Sequence, residues 1–206
     1  MSVPDPTLLR RLGAVGVVSG VLFAAMAIWQ GAAGLDEDST GAAATTVAIG
    51  FAVAMVGYVG LTVGLHLARP GGEGRWPRFF TGALVVAWIA LLASAALQAV
   101  SSIDPDENPL NPLGGLLQAV GLVGVGIVAA RAGRWSGWHR WAPLGLAGYY
   151  VAALMVPAFA GVEPSSVLEA VWALGYAVLG VALIGESTRV GSPSSARIPD
   201  RSQPVM

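Results

Sequence analysis

Apolar residues along this chain fall into six long runs. They run approximately from Leu12 to Ala33, Ala43 to Leu67, Phe79 to Ser101, Leu113 to Ala130, Ala142 to Gly161 and Val167 to Gly185. A helix crossing the hydrocarbon core of a bilayer needs about 20 such residues, at about 1.5 Å of rise each. The runs are apolar nearly all round, as lipid-embedded helices must be. Turn-forming text separates them: "GLDEDSTG", "RPGGEGRWPR", "SIDPDENPLNP", "RAGRWSGWHR" and "GVEPSS". Pro112 and Pro164 fall where a first helical turn tolerates proline. The pattern predicts an all-α fold, a polytopic six-helix transmembrane bundle. Residues 1–11 form a short N-terminal segment, 12–185 the spanning domain, and 186–206 a tail. The tail, rich in Ser, Pro and Arg, is expected to be disordered.

Composition agrees. Of 206 residues, 55% are apolar and only 11% charged, whereas a soluble domain is about a quarter charged. The net charge of −1 gives no reason to expect a nucleic-acid partner. Without Cys, the chain has no disulfide, thiolate metal site or thiol nucleophile.

Charge also sets an orientation. All eleven basic residues are Arg. They lie before the first run (Arg10, Arg11), in the second loop (Arg69, Arg75, Arg78), in the fourth (Arg131, Arg134, Arg140) and after the last run (Arg189, Arg197, Arg201). The first, third and fifth loops have none. Eleven Arg against Asp5, Glu73, Glu186 and Asp200 leave +7 on one side; the other eight acids give −8. Basic residues stay on the cytoplasmic side, so both termini are expected there, in a plasma membrane. A cleaved signal peptide ending near Ala33 is the alternative for the first run.

The stretch "RAGRWSGWHRW" is expected to lie at the membrane interface. Trp135, Trp138 and Trp141 suit headgroup depth, and Arg131, Arg134 and Arg140 suit anionic lipid. The lipid bilayer is thus the first expected partner.

Three repeated helical hairpins are suggested by shared text. Arg10, Arg78 and Arg140 open the units. Gln30 and Gln98 follow their Arg by 20 residues, where the third unit has Ala160. "LLQAVGLVG" aligns with "VLEAVWALG", setting Gln118 against Glu169, and Gly-Tyr recurs at Gly57–Tyr58 and Gly175–Tyr176. Repeats of this kind occur in transporters. "GVVSG" and "GLTVG" are small-xxx-small patterns, which serve packing within the chain or a homo-oligomer.

Candidate chemistry is sparse. Glu169 is the carboxylate inside an apolar run, roughly 7 Å along its helix from Pro164. With Gln30, Gln98, Gln118 and Tyr176 it is the candidate lining of a polar pocket on the outer half. His66 and His139 lack the HxxxH spacing of a local metal or haem pair, so no metal and no cofactor is expected. "GVGIVA" matches a dinucleotide fingerprint by letters only. No Ser-His-Asp arrangement is visible.

The stretch "GRWSGWHRWAPLGLAGYY" and the layout across Leu12 to Gly185 resemble the small multi-pass membrane proteins of actinobacteria that have no assigned activity. The resemblance implies a membrane bundle and carries over no functional residue. Two readings of function stand. One is a noncatalytic bundle that binds or transports a small amphiphile or serves an envelope complex. The other is an intramembrane enzyme, such as a lipid or isoprenoid cyclase with Glu169 as general acid.

Overall fold

In a computed structural model describing residues 5–35, 39, 41–100 and 108–191, each run becomes a helix. These are α1 (Pro6–Ala32), α2 (Ala42–Ala68), α3 (Arg75–Val100), α4 (Leu110–Ala132), α5 (Gly137–Phe159) and α6 (Ser166–Gly191). No strand occurs among the described residues. The tail residues 192–206 and the acidic loop residues 36–38 and 101–107 lie outside them.

Several helices outrun their apolar stretches, because capping and packing decide the ends as much as hydropathy. Pro6 occupies the first turn of α1, where its missing N–H costs nothing, and Asp5 Oδ1 accepts the Thr7 N–H at 2.8 Å. Helix therefore reaches back into the segment 1–11. At the other end α6 continues past Gly185 to Gly191, with Glu186 and Ser187 buried. The helix itself thus runs six residues beyond the apolar stretch.

The fifth span departs from a uniform helix. It opens with a 3-10 turn (Gly137–Trp141), is α-helical over Ala142–Tyr149, widens to a π-helix over Tyr150–Met155 and regains α geometry at Val156–Phe159. Pro157 has no N–H to give the carbonyl four residues back and would crowd it. A π turn relaxes that conflict by bonding over five residues.

The helices close into a ring. α1 packs most extensively on α6 and next on α2; α3 packs on α2 and α4; α5 joins α4 to α6. Between α1 and α6 the backbones touch. A Cβ on Gly20 would lie 2.7 Å from the Ala173 carbonyl oxygen, and one on Gly180 would lie 2.5 Å from that of Gly13. Only hydrogen at Cα fits there, and without a hydrophobic drive between helices in lipid such close packing is a main source of association. The glycines of "GVVSG" and "GLTVG" face their own chain: Gly16 meets Leu61, Gly20 meets Ala177, Gly60 meets Val15, and Gly64 meets Leu183.

Outward faces are the reverse of a soluble bundle. On α6 the exposed large apolar residues are Val167, Val171, Leu174, Val178 and Val181; on α2 they include Ile49, Val53 and Val56. These follow one another at helical spacing. A continuous apolar surface of this kind calls for a nonpolar surround. The six helices are compatible with a multi-pass membrane protein.

Replacing Gly20 or Gly180 with Ala should lower stability by about 1–3 kcal/mol through overpacking. Gly82→Ala on α3, where nothing lies within 4 Å of the added carbon, should leave it unchanged or slightly raised. Thermal melting of the three purified variants checks this; equal midpoints would refute the α1–α6 contact.

Candidate functional site

At the middle of the ring the helices meet through aromatic rings. Tyr58 on α2 lies 4.5 Å, centroid to centroid, from both Trp88 on α3 and Tyr176 on α6. Trp172 stacks between Trp88 at 5.8 Å and Tyr150 of α5 at 5.9 Å, and Phe23 of α1 meets its edge at 5.4 Å. The two tyrosines of the repeated Gly-Tyr pair therefore touch. From α4 comes Gln118, whose Nε2 donates to Tyr176 Oη at 2.6 Å. Both residues are buried. Among the described residues, Tyr58 Oη and the Trp172 indole nitrogen are buried without a hydrogen-bond partner. Leaving a polar group so costs about 1–3 kcal/mol each, so ring packing rather than polar pairing closes the centre.

Of the five candidate pocket residues, Gln118 and Tyr176 meet. Gln98 Nε2 donates to Ser94 Oγ at 3.2 Å. Ser94 donates to Asn111 Oδ1 at 2.7 Å and accepts from Asn108 Nδ2 at 2.9 Å. This knot ties α3 to the start of α4; its asparagines read from sequence only as turn formers. Gln30 is half-buried near the end of α1. Glu169 is half-buried in the first turn of α6, where the helix dipole favours a carboxylate. It lies seven residues, roughly 10 Å, along the axis from Tyr176.

A second polar cluster lies at the arginine-rich end, and sequence reasoning missed it. Glu186, 9% exposed on α6, reaches across to the α4–α5 connection. Its Oε1 accepts from the Ser136 N–H at 3.1 Å, from Ser136 Oγ at 3.2 Å and from His139 Nδ1 at 2.7 Å. A carboxylate oxygen only accepts, so Nδ1 carries the hydrogen. Gly185 makes room: a Cβ there would lie 2.6 Å from His139 Cε1. Serine, histidine and glutamate are thus assembled, but not as a nucleophilic set, since Ser136 donates to the carboxylate rather than to the imidazole. The only signal in the sequence was an acid one residue beyond an apolar run.

His66 serves packing between α2 and α3. The Thr81 hydroxyl donates to the Pro77 carbonyl at 2.9 Å, so His66 Nδ1 donates to Thr81 Oγ1 at 2.8 Å. Among the described residues no three His, Asp or Glu side chains gather as a metal site would require.

Trp135 is 4% exposed and packs in the core, next in sequence to Ser136, which Glu186 binds. Trp138 and Trp141 are 51% and 48% exposed, and the Arg140 guanidinium lies 5.0 Å above the Trp141 ring. Arg131 and Arg134 are exposed.

Beside this cluster is a cavity of about 340 Å³, lined by Leu9, Ala68, Trp135, Leu183, Arg134, Glu186 and Ser187. α1, α2, α6 and the α4–α5 connection each supply part of its wall. Apolar walls with one base and one acid suit a molecule that is mostly apolar with a polar end. A wholly apolar hollow of about 360 Å³, between Phe80 of α3 and Val120, Val123 and Ile127 of α4, offers no polar group of that kind.

No known protein family matches this chain, and neither does any curated protein or solved structure.

Removing the Glu186 carboxylate leaves the Ser136 and His139 donors without their acceptor. Glu186→Ala should cost about 1–3 kcal/mol and speed tryptic cleavage after Arg131 and Arg134, with Glu186→Gln intermediate. Wild-type melting and cleavage rates in the alanine variant would remove the latch from the account.

Proposed function

We propose that this chain is a noncatalytic multi-pass protein of the plasma membrane, with both ends cytoplasmic, that binds a small amphiphile at its arginine-rich end. The observation that carries this reading is the cavity, in which Leu9, Ala68, Trp135 and Leu183 surround space next to Arg134 and Glu186. Its volume is at the lower limit of ligand sites, which begin at about 300 Å³. The aromatic centre argues for binding near one face rather than mid-membrane: Tyr58, Trp88 and Tyr176 are fully buried against one another. Orientation follows from charge, since the basic loops are retained on the cytoplasmic side. Trp138, Trp141 and Arg140 suit the interface there.

Mass spectrometry of the protein purified in native lipid tests the binding. An amphiphile should be retained by the wild type and lost from Ala68→Trp, which fills the cavity. No retained molecule, or equal retention by the folded variant, would refute the reading.

Orientation has its own test, since the chain contains no cysteine to remove. In intact cells, a membrane-impermeant maleimide should label Val162→Cys at the acidic end and spare Arg131→Cys until the cells are opened. The opposite pattern would invert the topology.

A further inference from the structure

This inference rests on the cavity being an amphiphile site and concerns the head of the molecule. The cavity holds two charged side chains of different standing. Glu186 Oε1 already receives three donors from Ser136 and His139. A cation drawn to it would compete with contacts that hold the α4–α5 connection in place. Arg134 makes no ion pair or side-chain hydrogen bond among the described residues, although it lines the same space. The arginine at the end of α2, Arg69, differs: its Nη1 is bound to Glu73 Oε1 at 3.0 Å.

Arg134 is exposed. Its guanidinium passes over the α2–α3 turn, where a Cβ on Gly72 would come within 3.6 Å of Nε and 3.8 Å of Cζ. Gly72 adopts φ +95, and its N–H bonds the Arg69 carbonyl at 2.9 Å, so the turn under the arginine is fixed. A guanidinium so placed offers parallel donors that match a carboxylate or phosphate.

We propose that the cavity selects a single-chain amphiphile with an oxyanion head, carboxylate or phosphate, bound by Arg134, while Glu186 acts as a positioning residue for the connection that carries it. A space of about 340 Å³ suits one chain with its head. Leu9, Leu183 and Trp135 line it as the apolar surface for the methylenes nearest that head.

The test uses the full chain in a nonionic detergent and four twelve-carbon probes: laurate, dodecyl phosphate, monolaurin and dodecyltrimethylammonium. Laurate and dodecyl phosphate should bind at least tenfold more tightly than the cationic probe. Arg134→Gln should remove that preference while leaving monolaurin affinity unchanged, and Arg134→Lys should restore part of it. Arg131→Gln, outside the cavity, should have no effect. Glu186→Gln should weaken both anions in step with faster tryptic cleavage of the connection, a readout that a direct contact with the head would not move.

Anions that bind no better than the cation, or an Arg134→Gln protein that keeps the preference, overturn the proposal. If all four probes bind alike and Ala68→Trp blocks them, the amphiphile site stands and only its head selectivity falls. If none binds, both fall. A two-chain dilauroyl phosphatidate binding as tightly as dodecyl phosphate would make the site one for bilayer phospholipid, and the single-chain proposal would fail.

Discussion

Closing a ring of six helices requires the first and last to touch, and here they do so backbone to backbone. Gly13 and Gly20 on α1 and Gly180 on α6 leave no space for a side chain between the two. In lipid, apolar side chains gain little by leaving one apolar surround for another, so such contacts must supply what hydrophobic burial supplies in water. The consequences run through the molecule. Once α1 and α6 are fixed, Phe23 reaches Trp172, and the rings of α2, α3 and α5 pack around Trp172 and Tyr176. The same pairing brings Leu9 alongside Leu183 and Glu186 in the cavity wall.

The two ends of the bundle are stabilised differently. At the acidic end α3 and α4 are tied by neutral groups, Ser94, Gln98, Asn108 and Asn111, whose hydrogen bonds satisfy one another. At the arginine-rich end the tie is a carboxylate gripping a connection through an imidazole, a hydroxyl and a backbone amide. A charged acceptor makes stronger bonds than a neutral one. It can hold a short irregular segment whose one core side chain is Trp135. That segment carries Arg134 and Trp135, which form part of the cavity wall.

Spans, their number and their apolar outer faces could be read in the sequence, because bilayer thickness and backbone satisfaction leave few solutions. The contact of Gln118 with Tyr176 was half legible: both stood out as polar groups within apolar runs, but nothing in the letters measured their separation. The recurrence of Gly-Tyr marked Tyr58 and Tyr176, which meet in the centre. Helix ends were less legible, since Asp5 caps by a local hydrogen bond and Glu186 extends α6 by a tertiary one. Trp135 shows the limit most plainly. Three tryptophans in one loop share composition and neighbours, yet one is buried, and the serine beside it is bound by an acid fifty residues later in the chain. The π turn in α5 had a visible cause in Pro157, but proline predicts a disturbance rather than its form.

Order of synthesis gives the α1–α6 contact a further meaning. Chains emerge N-terminus first, and early elements wait for late ones. The glycine face of α1 can dock on α2 at once, but its main partner, α6, is made after the other four helices. Until then the ring is an open arc, with Gly13 and Gly20 not yet covered by α6. Arrival of α6 closes the arc and, in the same event, delivers Glu186 to Ser136 and His139. The cavity is therefore a product of completed biogenesis, and a chain cut short before its final helix would lack it altogether.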